Sequence, residues 1–509
     1  MKQKLIKNTL YNIISYGYSA IIGFFLVPFV IKNIGLNRYG IWSLITMITG
    51  YFSLIDFGIG QSFERYIAEY KAKNDIKNLN YVVNSGLLIY LLLFFILIPL
   101  SIISLDFLIK ILKIPQEFSS EAKFIFKWAI IYIGFSNIFG LFYSCMRGFQ
   151  RMDITGKVTI FLTTFHAIGV ILFLKHGWGL KGLMVNNFLV YSIGGLTYIF
   201  FLNKIFPDIR LNLLLFEKAM LKRLSKFGIK RWITSIEEVI TYQTDKFFIS
   251  HFLNVSLVGI YQIGYTIPEK VSSMIRLLNS AVVPASAELN TMDDKEKIVK
   301  LYSVGLRYIS FVTLGLFSFI IINSSLIIIT WIGESYNLSS IILKLFSIAF
   351  IMISLGSIPT AIAVGIEKPE FQMVSAIIQT TMNFILTLIL ILKIGIIGVV
   401  IATLISVSFS TCYIFLKLNN YLKISFKKFF TITKIHYAFL LSSTICLLLV
   451  IIKLFLPFLY ATKVKNLLFL LIEFLIFVII YLFSSFKLNL IEINEIRLLK
   501  YIKKNRYKI

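Results

Sequence analysis

The amino-acid sequence predicts an all-α integral membrane protein with fourteen transmembrane helices, built from a duplicated six-helix unit and two further helices. Two observations predict this fold, the hydropathy of the chain and an internal repeat. Of the 509 residues, 58% are hydrophobic, and the mean hydropathy is +0.85, which leaves too little polar surface for a water-soluble protein of this length. A bilayer core about 30 Å thick requires roughly 20 consecutive apolar residues per helix.

Fourteen apolar runs meet this length requirement, and each is predicted to cross the membrane once. Run eight contains Pro268 and several charged residues, so we expect that helix to be kinked or partly unwound. In chain order the runs cover about 10–31, 41–61, 81–104, 124–145, 158–174, 182–202, 232–251, 257–285, 303–330, 340–364, 371–392, 395–416, 436–458 and 466–486.

The first six runs can be laid over the next six at a nearly constant offset. Gly40 falls on Gly259 and Gly148 on Gly365, each pair at the same place in the hydropathy pattern. Because each copy has an even number of runs, both copies should have the same orientation, related by an axis along the membrane normal. The repeat predicts a first lobe at 1–202, a linker at 203–231, a second lobe at 232–418, an appended helix pair at 436–486 and a basic tail at 487–509.

The basic residues predict the orientation of the chain in the membrane. Of the 51 Lys and Arg residues, 34 lie in loops on the side of the N-terminus and 10 in loops on the opposite side. The positive-inside rule then places both termini in the cytoplasm. Topology thus explains the net charge of +27 without nucleic-acid binding, and some basic loops could also hold anionic lipid headgroups. The linker at 203–231 is predicted to contain one interfacial amphipathic helix, apolar at Leu214, Met220 and Leu224 among others.

Polar side chains inside the apolar runs mark the predicted site. A charge in hydrocarbon costs at least about 2.5–3.5 kcal/mol, so such residues face protein or water. They concentrate in runs two, seven and eight, and run one adds an uncharged polar stripe, which together predict a water-filled cavity between the two copies. The predicted substrate-binding residues are Arg65, Tyr242, Lys246, Tyr265, Lys270 and Arg276, and the predicted ion-coupling residues are Asp56, Glu238, Asp245 and Glu269.

The cations of this set would suit a diphosphate, since charge-assisted hydrogen bonds to phosphate are strong. Its carboxylates would suit a proton or Na⁺. The alternative is internal pairing, for example of Glu269 with Arg276, or of Asp56 with a partner in the other copy, as a gate or a structural bridge. His166 in run five is predicted to be a hydrogen-bonded core residue, and Glu473 in run fourteen has no partner that the sequence identifies.

No motif in the sequence indicates an enzyme, a metal site or a cofactor. The three cysteines are far apart in apolar runs, which is typical of small core residues. No loop is long enough to fold as a soluble catalytic domain.

Several stretches resemble the polysaccharide-repeat flippases, which share a superfamily with multidrug/toxin extruders and lipid II flippases. They are Asn12-Ile13-Ile14-Ser15, the segment 31–42, and Leu54-Ile55-Asp56-Phe57-Gly58-Ile59-Gly60, which is similar to the second helix of O-antigen and capsule exporters. The first run lacks the charges found in the lipid II branch.

The resemblance implies an inner-membrane protein with two lobes like those of the multidrug/toxin extruders. It implies that the chain moves an undecaprenyl-diphosphate-linked oligosaccharide to the outer leaflet by alternating access, coupled to H⁺ or Na⁺ as the only non-protein component. A polysaccharide polymerase and a chain-length regulator are the candidate protein partners beside the membrane lipids.

Two other functions stay open at this stage. A multidrug or cation antiporter of the same fold would be expected to have twelve runs and a cavity dominated by carboxylates and aromatic residues. A membrane-embedded polysaccharide polymerase would need a sizeable outer loop with a catalytic Arg or His, and the longest outer loop, about 105–123, contains neither.

Overall fold

The computed structural model describes residues 2–56, 58–279, 282–455, 462–488 and 490. Throughout these ranges the chain is helical, with short connections. The helices are α1 (Lys2–Ser53), α2 (Ile59–Ala72), α3 (Ile76–Ile103), α4 (Leu105–Ile111), α5 (Gln116–Gly148), α6 (Met152–Lys175), α7 (Gly179–Ile205), α8 (Lys218–Phe248), α9 (Val255–Leu278), α10 (Val282–Thr291), α11 (Lys295–Trp331), α12 (Asn337–Gly365), α13 (Pro369–Tyr421), α14 (Phe426–Thr433), α15 (Ile435–Phe455) and α16 (Lys463–Lys487).

The predicted all-helical, membrane-type fold is confirmed. Within the described ranges, nine helices are long and apolar enough to cross a membrane, and α14 with α15, bent by 60°, makes a tenth candidate. Two of these helices are each interrupted once, α1 at Gly35 and α13 at Ile394–Gly395, where the sequence places the ends of two successive runs. Gly35 and Gly395 have positive φ values of 79° and 61°, a conformation that a residue without Cβ adopts readily.

The Cα positions group into two compact units. The first comprises the chain up to Gln262 together with Ile391–Ile396, and the second comprises the rest from Ile263. The border lies inside α9, so α8 groups with the first unit, although the repeat assigns its sequence to the second copy. The reason is packing, because α8 lies against α1, α2 and α3.

The connection between α7 and α8 is fastened to α3 by two asparagines one helical turn apart. Asn80 donates to the carbonyl of Asp208 at 3.0 Å and accepts from the amide of Arg210 at 2.7 Å. Asn84 donates to the carbonyl of Arg210 at 2.8 Å and accepts from the amide of Asn212 at 2.8 Å. The two side chains thus satisfy successive backbone groups of an extended segment, as a neighbouring β-strand would.

The amphipathic part of this connection differs from the prediction. It is not a separate interfacial helix, because α8 continues from Lys218 to Phe248 without a break. Met220 and Leu224 are buried, whereas Leu214, in a short turn before α8, is 85% exposed. A continuous helix keeps its backbone groups hydrogen-bonded in an apolar environment, whereas a break in the helix would leave some of them without partners.

The two glycines that the repeat equates pack against each other in the first unit. A Cβ on Gly40 would collide with the carbonyl oxygen of Val255, and one on Gly259 would lie 3.1 Å from the carbonyl oxygen of Leu36. Beside them Ser256 donates a hydrogen bond to Asn37, a pair separated by the same 219 residues. The crossing of α1 and α9 therefore joins residues that the repeat equates.

Candidate functional site

A cluster of polar side chains in the first unit joins α1, the end of α8 and the beginning of α9. Lys246, 3% exposed, donates to the hydroxyl of Thr46 at 2.6 Å. Asp245, 0% exposed, accepts a hydrogen bond from the Tyr261 hydroxyl at 2.7 Å. Tyr51 and Thr244 share a hydrogen bond of 2.6 Å next to them. We call this the enclosed cluster, defined by Thr46, Tyr51, Thr244, Asp245, Lys246 and Tyr261.

In the enclosed cluster, two charged side chains are hydrogen-bonded to hydroxyl groups, and Lys246 also donates to the amide oxygen of Gln243 at 3.3 Å. Hydroxyls can donate to a carboxylate or accept from an ammonium, so each charge keeps a hydrogen-bonding partner in the interior. Burial of a charge is tolerated only where such partners are provided. The arrangement holds three helices together at one level, and it leaves Lys246 little surface with which to bind a diphosphate.

A second set of polar residues follows one face of α9 in the second unit. Ser273 donates to Glu269 at 2.8 Å and accepts from Arg276 at 2.7 Å, so the serine links the acid to the base. Arg276 also donates to Ser272 at 3.0 Å, and Lys270 lies 3.1 Å from the other carboxylate oxygen of Glu269. We call Glu269, Lys270, Ser272, Ser273 and Arg276 the serine-linked row.

The serine-linked row is anchored to α12 and is partly open. Ser272 shares a hydrogen bond of 3.2 Å with Ser354. Asn279, just after α9, donates to Ser357, which lies one turn after Ser354 on α12. The side chains of Glu269 and Lys270 are nevertheless 24% and 50% exposed. A partly exposed ammonium paired with Glu269 and a guanidinium held in position by serines can donate several hydrogen bonds to an incoming anion.

Tyr265 lies on α9 before the row and belongs to an aromatic group. Its ring meets those of Phe346 and Phe350 on α12 at centroid distances of 5.2 Å and 5.7 Å. These edge-on contacts fix the helix against α12, so Tyr265 supports the row through packing.

Asp56 and Arg65 make other contacts. Asp56 accepts from the Tyr90 hydroxyl at 2.7 Å and from the backbone amide of Gly60 at 3.3 Å, which ties α3 to the start of α2. Arg65 is exposed, and its guanidinium carbon lies 5.5 Å from the centre of the Tyr66 ring. Glu238 and Tyr242 have their backbone in α8, and their side chains fall outside the described residues.

The structure therefore assigns five of the ten predicted residues to two groups. Asp245 and Lys246 come together in the enclosed cluster, and Glu269, Lys270 and Arg276 in the serine-linked row. Sequence reasoning missed Tyr90, Tyr261 and Ser273 as partners. The position of Ser273, four residues after Glu269 and three before Arg276, is a helical spacing that could have identified it.

One interpretation of the sequence is corrected. Glu473 is not without a partner, because its carboxylate lies 3.1 Å from the ammonium of Lys453 and accepts from Asn323 at 3.3 Å. Lys453 also donates to Asn323. The three side chains join α11, α15 and α16 in the second unit, and the appended helix pair is attached to the rest of that unit by this buried ion pair.

Comparison with known proteins identifies a family and several relatives of this chain. The family model described as "Polysaccharide biosynthesis protein" matches residues 5–290. A protein of Shigella flexneri named "Putative O-antigen transporter" is 20% identical over 401 residues, covering 78% of this chain and 94% of that protein.

Two solved structures share the fold. One is the lipid II flippase MurJ in an inward closed conformation, with a TM-score of 0.72, 18% identity, and coverage of 94% of this chain and 98% of that one. The other is a multidrug resistance MATE family transporter of the MOP superfamily in an inward-facing conformation, with a TM-score of 0.70, 16% identity, and coverage of 82% and 94%. Because the family model spans more than half of its length, this multi-pass membrane chain belongs to the polysaccharide biosynthesis protein family.

Proposed function

We propose that this protein flips a lipid-linked oligosaccharide across the cytoplasmic membrane for the synthesis of a surface polysaccharide, with undecaprenyl diphosphate as the lipid carrier. It crosses the membrane fourteen times with both termini in the cytoplasm, and alternating access is coupled to H⁺ or Na⁺. The Shigella O-antigen transporter and the MurJ fold support this proposal. The polymerase and chain-length regulator are the proposed protein partners.

The observation that carries the proposal is the serine-linked row. Two cations, Lys270 and Arg276, are retained on a helix of a strongly apolar fold, and both keep exposed surface. A diphosphate cannot cross hydrocarbon unaided, because an isolated buried charge costs many kcal/mol. The ammonium of Lys270, paired with Glu269, and the serine-held guanidinium of Arg276 would replace its hydration while the lipid tail stays in the bilayer. Glu269, also in the row, is the proposed ion-coupling group of this unit.

The test is a flipping assay in liposomes with a fluorescent undecaprenyl-diphosphate oligosaccharide and a membrane-impermeant quencher. The wild-type protein should expose the label on the opposite leaflet, and the Lys270→Ala/Arg276→Ala variant should slow this at least tenfold, roughly the effect of losing one charge-assisted bond. Lys417→Ala, an exposed lysine on α13, is the matched control and should be neutral. Efflux of ethidium without flipping would instead establish the multidrug antiporter.

A further inference from the structure

The first unit contains a cavity of about 510 Å³ that none of the predicted site residues lines. It lies between α5, α6 and α7, at about the middle of α6 and α7 and in the second half of α5. Its volume is within the range of about 300–1,000 Å³ that is common for small-molecule sites.

The lining of this cavity is mainly apolar in surface, but it includes several hydrogen-bonding groups and no Lys, Arg, Asp or Glu. Seven of its thirteen residues carry a hydroxyl or an imidazole, and the rest are apolar or glycine. Three tyrosines contribute ring faces, and Tyr143 and Tyr198 meet at a centroid distance of 5.6 Å with planes at 64°. Tyr198 is only 6% exposed, so its ring is held firmly by its surroundings. A cavity for a lipid tail would not need this number of hydrogen-bonding groups.

Hydrogen bonds hold two of the polar groups in place. Thr163 shares a hydrogen bond of 2.9 Å with Ser19 on α1, and Ser136 donates to the carbonyl of Ile133 at 2.9 Å. Hydroxyl oxygens have further bonding capacity after one bond is made. Rings with hydroxyls around them match a sugar, which has an apolar C–H face and a hydroxyl edge.

Three glycines line the cavity and have two different roles. A Cβ on Gly195 would overlap the Phe139 ring and one on Gly194 would lie 2.8 Å from Leu162, so these two permit α7 to approach its neighbours. Gly140 on α5 is different, because a Cβ there would meet nothing within 4 Å. The space in front of Gly140 is therefore the cavity itself, and a larger side chain would occupy it.

Resting on the proposed function, we infer that this cavity of the first unit binds neutral sugar residues of the oligosaccharide headgroup. Its lack of charge separates it from the diphosphate, which requires cations such as those of the serine-linked row. The cavity thus offers rings and hydroxyls to the glycan, whereas the serine-linked row offers cations to the phosphates.

The test measures binding to the purified full-length protein with three probes. They are the oligosaccharide released from its lipid by mild acid, inorganic pyrophosphate, and undecaprenyl phosphate in micelles. Gly140→Leu should weaken binding of the oligosaccharide about tenfold or more by filling the cavity, and leave pyrophosphate binding unchanged. Leu196→Phe, at a 61% exposed position of α7, is the control and should change neither.

Tyr198→Phe provides a second variant that keeps the ring and removes only the hydroxyl, and it should weaken oligosaccharide binding several-fold. Unchanged oligosaccharide affinity in a folded Gly140→Leu protein overturns the inference. If Gly140→Leu does not fold, unchanged oligosaccharide affinity in Tyr198→Phe overturns it instead. A loss confined to undecaprenyl phosphate also overturns it and identifies an isoprenoid pocket. If both variants bind and flip normally while the wild type flips, only this inference fails. If the wild type neither binds nor flips, the proposed function fails as well.

Discussion

The charged residues of predicted runs seven and eight differ in what surrounds them in the two units. In the first unit, Asp245 and Lys246 are 0% and 3% exposed and are bonded to hydroxyls of three helices. In the second unit, the side chains of Glu269 and Lys270 are 24% and 50% exposed, and Arg276 is held by serines of its own helix. An intramembrane charge is thus not by itself a binding site. Enclosure by hydrogen-bonding partners indicates a structural role, and retained exposure leaves room for a ligand.

The largest effect is expected at the crossing of α1 and α9. Gly40→Ala should destabilise the protein by about 3 kcal/mol, because the new methyl group would overlap the backbone carbonyl of Val255. Thermal unfolding in detergent measures this, and Gly23→Ala, where nothing lies within 4 Å, is the control on the same helix. Equal melting temperatures for the two variants would show that the crossing is looser than described.

A smaller loss is expected inside the enclosed cluster. Asp245→Ala removes the acceptor of the buried Tyr261 hydroxyl, which should cost about 2 kcal/mol for an unsatisfied buried donor. Asp245→Asn keeps an oxygen acceptor and should recover most of the melting temperature. If both variants lose flipping at wild-type stability, Asp245 serves transport and the structural interpretation of the cluster is wrong.

A substitution in the serine-linked row should reduce flipping more than it reduces stability. Ser273→Ala breaks a partly exposed link, so its cost in stability should stay below about 1 kcal/mol. Flipping should nevertheless slow, because Glu269 and Arg276 lose the side chain that positions both. The liposome assay and the melting temperature are read together, with Ser303→Ala on α11 as a control. Unchanged flipping would remove the row from the transport mechanism.

The smallest effect is expected at an ion pair outside the membrane. A hydrogen bond from Lys73 at 2.7 Å holds the pKa of Glu69 below its usual range. A lowered folded-state pKa stabilises the protein above the unfolded pKa, and this contribution is lost as the pH falls through the folded value. The wild type should therefore lose slightly more free energy of unfolding on acidification than Glu69→Gln, by no more than about 0.5 kcal/mol after solvent screening. The melting temperatures of the two proteins at each pH measure this difference. An identical acid response of the two proteins would show that the pair contributes nothing.

The appended helices show how a charge without an evident partner in the sequence acquires one by folding. Glu473 and Lys453 are 20 residues apart and Asn323 is 150 residues away, so no local spacing connects them. Antiparallel packing of α16 on α11, seen also where Tyr481 donates to the carbonyl of Phe311 at 2.8 Å, brings the three together. Long-range contacts of this kind depend on which helix faces meet, which hydropathy does not specify.

The sequence by itself determined the helical membrane class, the breaks at Gly35 and Gly395, and the residues in which polar chemistry concentrates. It could do so because the bilayer imposes a length and an apolar composition on each span, and these are properties of local sequence. Only the tertiary structure decided that Lys246 is enclosed while Lys270 is accessible, that Asn80 and Asn84 hold the segment before α8, and that α5, α6 and α7 leave an uncharged cavity. Each of these depends on the distance between side chains far apart in the chain, and packing of whole helices, rather than any local pattern, sets that distance.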